Sequence, residues 1–217
     1  MMRLRTKLLR TGAILLVTAL MFNVNARAGL VAVAFTPVAA NTANLGINRY
    51  SLGYEFTVNS PILVTALGYF ASPNLSEDHD VAIFNSSGNP IASYLVTGGS
   101  ALTSNFRYEG ISGPTLMPGQ KYVIAGTSGL IDRYTYDPTS FSTDPAVTIG
   151  RNLFSASPFL IFPIVTQGAL TAGYFGPNFQ FDLVNGPSPV PEPASVAMAG
   201  TAVVIGLAYR WRRRREK

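Results

Sequence analysis

The chain is 217 residues long, enough for one domain of ordinary size, with 12% charged residues, no cysteine and a net charge of +5. Soluble domains carry roughly a quarter charged residues, so this chain is charge-poor; the lack of cysteine argues against a disulfide-stapled secreted fold and excludes a lipid-bearing cysteine. The charge is +5 over residues 1–28, −4 over 29–190 and +4 over 191–217, so the excess sits at the ends and a nucleic-acid-binding body, which needs a basic patch on the folded part, is disfavoured.

At the amino end, Arg3, Arg5, Lys7 and Arg10 form a positive region, and Gly12–Phe22 is an uncharged, largely apolar run of eleven residues. Ala26-Arg27-Ala28 then places small side chains at the −3 and −1 positions of a cleavage site. That order is expected of a secretory signal peptide over residues 1–28, cut by signal peptidase after Ala28. The run is too short to span a hydrocarbon core of roughly 30 Å as a permanent helix. No arginine pair precedes it, which favours the general secretion route.

Residues 29–184 carry strand signals and almost no helix signals. Leu52, Tyr54, Phe56 and Val58 alternate with Ser51, Gly53, Glu55 and Thr57, the pattern of a half-buried strand. Ile62–Phe70 is a second run, entered through Ser60-Pro61. Asp80–Phe84, the turn residues Asn85-Ser86-Ser87-Gly88-Asn89-Pro90 and Ile91–Val96 read as a hairpin. Phe106, Tyr108 and Ile111 mark a further strand, and Met117-Pro118-Gly119-Gln120 is a turn leading into Lys121–Ala125. Ala146–Ile149 and Leu160–Val165 are weaker candidates, within a Gly-, Pro-, Ser- and Thr-rich stretch, 127–178, expected to form long loops. Phe179–Val184 alternates again. Short strands separated by turn residues, with no crossover helices, predict an all-β, antiparallel β-sandwich of jelly-roll type. Its length suffices to bury a core without disulfides.

Four prolines in seven residues make 185–193 an extended linker. Residues 194–209 then run sixteen positions without a charge, about 24 Å as a helix, and predict one short transmembrane helix. Tyr209 and Trp211 suit an interface and Arg210 can snorkel. The tail 210–217, with Arg210, Arg212, Arg213, Arg214, Arg215 and Lys217, resists translocation and holds the end in the cytoplasm.

Val190-Pro191-Glu192-Pro193, then one short apolar helix, then an arginine cluster, at the carboxyl end of a chain with a signal peptide, resembles the PEP-CTERM sorting signal. The resemblance implies processing by an exosortase, a membrane enzyme of Gram-negative bacteria, and association with exopolysaccharide and biofilm. It makes the precursor an inner-membrane-anchored protein and the mature form a cell-surface or extracellular one. Extended prolines keep the cleavage site open, and Glu192, the one charge of the linker, is a recognition handle. The alternative is a plain single-pass anchor on a proline-rich stalk. The runs Leu63–Phe70 and His79–Asn85, with Leu116-x-Pro118-Gly119-x-x-Tyr122, also resemble a sandwich module seen in PEP-CTERM proteins.

Chemistry in the body is sparse. One histidine, His79, is poor material for a zinc site or a Ser-His-Asp triad, and Gly126-Thr127-Ser128-Gly129 falls one residue short of a nucleophile elbow. The chain is expected to be no enzyme and to need no cofactor. Glu77-Asp78-His79-Asp80 is the densest polar cluster; Glu77, Asp78 and Asp80 are a weak Ca²⁺ candidate without EF-hand spacing, and a solvated loop is the favoured reading. Tyr134 and Tyr136, near Asp132, Asp137 and Asp144, are the weak candidates for a sugar-binding face. The expected partners are thus signal peptidase, exosortase, the membrane and extracellular polysaccharide. The expected function is that of an exported surface or matrix protein, with a secreted carbohydrate-binding module as the alternative.

Overall fold

The computed structural model describes residues 29–39, 42–43, 48–71, 74–167 and 173–184. The segments read as signal peptide, proline linker, apolar run and basic tail lie outside the described residues. The described chain forms sixteen strands: β1 Leu30–Val31, β2 Val33–Thr36, β3 Thr42–Ala43, β4 Tyr50–Val58, β5 Ile62–Phe70, β6 His79–Asn85, β7 Pro90–Val96 and β8 Ala101–Thr103, then β9 Phe106–Gly110, β10 Thr115–Leu116, β11 Lys121–Thr127, β12 Tyr134–Thr135, β13 Thr139–Thr143, β14 Val147–Ala156, β15 Val165–Thr166 and β16 Pro177–Leu183. The first large sheet has the order β1-β16-β5-β9-β8, with β10 paired to the start of β5. The second has the order β15-β14-β4-β11-β6-β7, and two small ladders, β12-β3 and β13-β2, complete the fold. The pairings of both large sheets are antiparallel.

The alternation read in β4 sets which face is inside. Tyr54, Phe56 and Val58 enter the main core, where they meet Ile62, Val64 and Tyr69 of β5 and Phe179 and Phe181 of β16. Phe56 of one sheet and Phe179 of the other lie 4.8 Å apart, ring centroid to centroid, so the two sheets pack face to face. Asn59-Ser60-Pro61 carries the chain from one sheet to the other, and Asn59 Nδ2 fastens it to the Pro145 carbonyl at 2.9 Å. The β6–β7 hairpin closes as its residues predict: Asn85 Oδ1 accepts the Ser87 and Asn89 N–H groups, both at 3.0 Å, and Gly88 takes φ +79°, where a side chain would be strained.

Between 127 and 178 the expectation of long loops holds only in part. β14 is a ten-residue strand between β4 and the short edge strand β15 of the second sheet, where Ala146–Ile149 had marked only its beginning. A register shift between Ile149 and Asn152 breaks its alternation around Gly150-Arg151, so the period that betrays a strand is lost. Leu160–Val165 is not a strand, apart from Val165, which opens β15. Pro158 and Pro163 cannot donate to a ladder, and the segment instead lies across the outer face of the second sheet.

Candidate functional site

The acidic loop is a buried joint, and only half of it meets solvent. Asp78 and Asp80 are exposed, whereas His79 is fully buried and Glu77 partly so. His79 starts β6, where its ring stacks on Tyr69 of β5 with centroids 3.8 Å apart. Its Nδ1 donates to the Thr127 carbonyl at 2.7 Å, and its Nε2 faces Asp132 Oδ2 at 3.2 Å. The ring thus bridges a backbone carbonyl on one side and a carboxylate on the other. Asp132 also accepts the backbone N–H groups of Ser76 (2.9 and 2.7 Å) and Glu77 (2.6 Å). Glu77 replies across the same gap: its Oε2 accepts the N–H groups of Ile131 (2.7 Å) and Asp132 (3.1 Å), and its Oε1 meets Arg49 at 3.1 Å. Burial, followed by the nearby Asp132, Tyr134 and Glu77, raises the Tyr69 phenol far above its usual ten.

Glu77 has both carboxylate oxygens engaged by the protein itself, and it is not grouped with Asp78 and Asp80 around a common point. Among the described residues no set of three or more His, Cys, Asp or Glu side chains is assembled that could hold a metal ion. Gly126-Thr127-Ser128-Gly129 is a second half of the joint: Thr127 Oγ1 accepts the Asp80 N–H at 3.0 Å, Ser128 Oγ accepts the Tyr50 N–H at 2.9 Å, and a side chain at Gly129 would strike Glu77.

The tyrosine pair belongs to a larger group. Tyr134 is only 6% exposed and sits in β12, paired with Ala43, so it is the floor of the group and not its face. Tyr136 lies 6.4 Å from it, ring to ring, and Tyr174 packs edge-on at 5.3 Å. Tyr174 meets Phe154 at 5.7 Å, and Phe154 meets Tyr50 at 6.2 Å. Tyr50, Tyr136, Phe154 and Tyr174 are each part-exposed, so a row of rings lines the end of the sandwich beside the Arg49–Glu77 pair. Burial and then the neighbouring phenols push Tyr134 up to about 12, and burial followed by Tyr50 raises Tyr174 as well. Both hydroxyls therefore stay neutral in ordinary conditions and can donate and accept hydrogen bonds. Asp137, next to Tyr136, holds φ at +41°, a strained value for a residue with a side chain. Asp144 lies elsewhere, capping the turn into β14 through the Ala146 N–H at 2.8 Å.

Sequence reasoning missed Asp132 as the partner of His79, Tyr50, Phe154 and Tyr174. Asp132 lies 53 positions from His79, and no spacing rule links them. Tyr50 opens an alternating strand and looks like core; Phe154 and Tyr174 fall in the stretch read as loops. The row of rings is visible only once β4, β12, β14 and the segment before β16 are brought together.

Ala26, Ala28, Val190, Pro191, Glu192, Pro193 and the arginines from Arg210 to Arg215 lie outside the described residues. There the comparison with known families speaks directly: residues 189–215 match the PEP-CTERM protein-sorting motif. That signal implies an exosortase-processed protein exported to the cell envelope or surface. No curated protein and no solved structure matches the chain. Residues 34–173, well over half of the chain, match the model of a domain of unknown function, DUF4082, so the chain belongs to the DUF4082 family and carries a PEP-CTERM sorting motif behind it.

Proposed function

We propose that this is a non-enzymatic matrix or surface protein of a Gram-negative bacterium, whose β domain binds extracellular polysaccharide through its row of rings. The precursor loses residues 1–28 to signal peptidase and is held in the inner membrane by a 194–209 helix with its arginines in the cytoplasm. The exosortase then releases the body to the surface or the matrix. The observation that carries the polysaccharide reading is the part-exposed set Tyr50, Tyr136, Phe154 and Tyr174 on a floor of Tyr134. Aromatic faces pack on the C–H faces of sugar rings while neutral phenols bond the hydroxyls. The absence of catalysis is supported by His79, whose two nitrogens are spent on Thr127 and Asp132.

Affinity electrophoresis of the exported protein through gels containing the producer's own exopolysaccharide tests this. Retardation is expected, and Tyr136→Ala and Tyr174→Ala should each weaken it about fivefold to tenfold, the equivalent of roughly 1 kcal/mol per lost ring contact. Unretarded migration of the wild type, or retardation of both variants equal to that of the wild type, would contradict the assignment.

A further inference from the structure

Residues 157–165, Ser-Pro-Phe-Leu-Ile-Phe-Pro-Ile-Val, contain no charge and lie over the outer face of the second sheet. Leu160 and Phe162 turn down onto Ala82, Phe84, Val123, Ala125 and Leu153, and the Phe162 ring meets Phe84 edge-on at 5.7 Å. These inward residues account for two of the segment's six large apolar side chains. The other four face outward: Phe159 and Ile164 are each 74% exposed, and Ile161 and Val165 are exposed beside them. The segment is fixed in place. The Ser51 hydroxyl donates to the Ile161 carbonyl, and the Ile164 N–H donates to Ser155 Oγ at 3.0 Å. A clamped loop that displays Phe and Ile to water has the form of an interaction surface.

Two observations select the occupant. On the same outer face Arg151 and Lys121, both largely exposed, share the single carboxylate of Glu55 at 3.3 Å each, which leaves that three-residue cluster with one net positive charge. Arg151 also reaches Thr166, at the far end of the loop, at 3.5 Å. Chain length gives the second. Described residues end at Val184, and nine linker residues separate it from the uncharged run 194–209. Extended at about 3.1 Å per residue they span about 28 Å, so a membrane that holds 194–209 is always within reach of the body.

We propose that the 157–165 loop docks on the anionic lipid surface that anchors the precursor, with Phe159, Ile161 and Ile164 entering the interfacial zone and Arg151 and Lys121 meeting lipid headgroups. The proposal rests on the anchoring reading above. Tethering makes the docking intramolecular, so even a small apolar patch is occupied while the linker is intact and lets go once it is cut.

The chain has no cysteine, so single cysteines label cleanly. Full-length Phe159→Cys, Ile164→Cys, Ser142→Cys and Ala202→Cys chains, each carrying an environment-sensitive fluorophore, are reconstituted into phosphatidylethanolamine–phosphatidylglycerol vesicles with and without spin-labelled lipid. Labels at 159 and 164 should shift to the blue and lose at least about half of their emission to the lipid quencher, while the label at 142, on exposed β13, does not. Labels at 159 and 164 that behave like 142 overturn the proposal, and so does shielding from aqueous quenchers without lipid quenching, which would mark a protein partner. Ala202 reports the anchor separately: its failure to be quenched sinks the anchoring reading, whereas the docking stands or falls on 159 and 164.

Discussion

Replacing Asp132 by alanine is expected to remove about 3–5 kcal/mol of unfolding free energy, because it deprives three hydrogen-bonded groups of their partner at about 1–3 kcal/mol each. The carboxylate is almost wholly buried and holds three groups at once: the Ser76 and Glu77 N–H groups and His79 Nε2. Alanine leaves two part-buried backbone donors and the fully buried His79 ring nitrogen without their partner. It also frees the His79 ring stacked on Tyr69, and with it the contact between the start of β6 and the end of β5. Asp132→Asn keeps one acceptor oxygen and should lose about half as much. Asp78→Ala, a change of an exposed neighbour, should stay within about 0.5 kcal/mol of the wild type. Denaturant titration of the exported protein measures all three, and an Asp132→Ala midpoint equal to that of Asp78→Ala would refute the role given to this joint.

Asn178→Ala is the second large effect. Asn178 is fully buried at the meeting point of β2, β4, β9 and β16. Its Nδ2 donates to the Val33 carbonyl at 2.8 Å and to the Tyr108 hydroxyl at 3.0 Å. Its Oδ1 accepts the Phe179 N–H at 2.9 Å and the Tyr54 hydroxyl at 3.4 Å. Burial raises the phenols of Tyr54 and Tyr108 well above their usual range, so both remain hydroxyls that must find partners. Each buried group left unsatisfied costs about 1–3 kcal/mol, and partial rearrangement of the two hydroxyls onto each other limits the total to about 3–4 kcal/mol. For a body of this size that corresponds to a fall in Tm of roughly 6–16 °C. Asn178→Leu, nearly equal in volume, should fare no better, because what is lost is hydrogen bonding and not packing. A leucine variant as stable as the wild type would show that the network is dispensable.

The contrast between these two sites and the strands shows what a sequence displays. β4, β5 and the β6–β7 hairpin follow from period-two alternation and from Asn85, Gly88 and Asn89, because the physical cause of each lies within a few residues of chain. β14 escapes because its register shift places Gly150 and Arg151 where the alternation should continue. β2, β3 and β12 escape because two to four residues carry no period. The His79–Asp132 pair and the row from Tyr50 to Tyr136 join segments far apart in the chain, and only the pairing of β4 with β11 and β14 brings them to one end. Tyr134 shows the limit most plainly. Its residue type fits a sugar-facing ring, yet its neighbours Tyr136 and Tyr174 cover it. The sorting motif lies at the other extreme: its parts are contiguous, so order and spacing alone reveal it.

That motif also revises the meaning of the charge. The net +5 belongs to the two ends, and the domain between them is acidic and sparsely charged. The intact mass of the exported protein tests this most directly. The account predicts a single species that begins at Gly29 and ends within or just after Pro191-Glu192-Pro193, without the 194–209 run and without Arg210–Lys217. An exported species that retains the arginine tail, from cells that possess an exosortase, would contradict it.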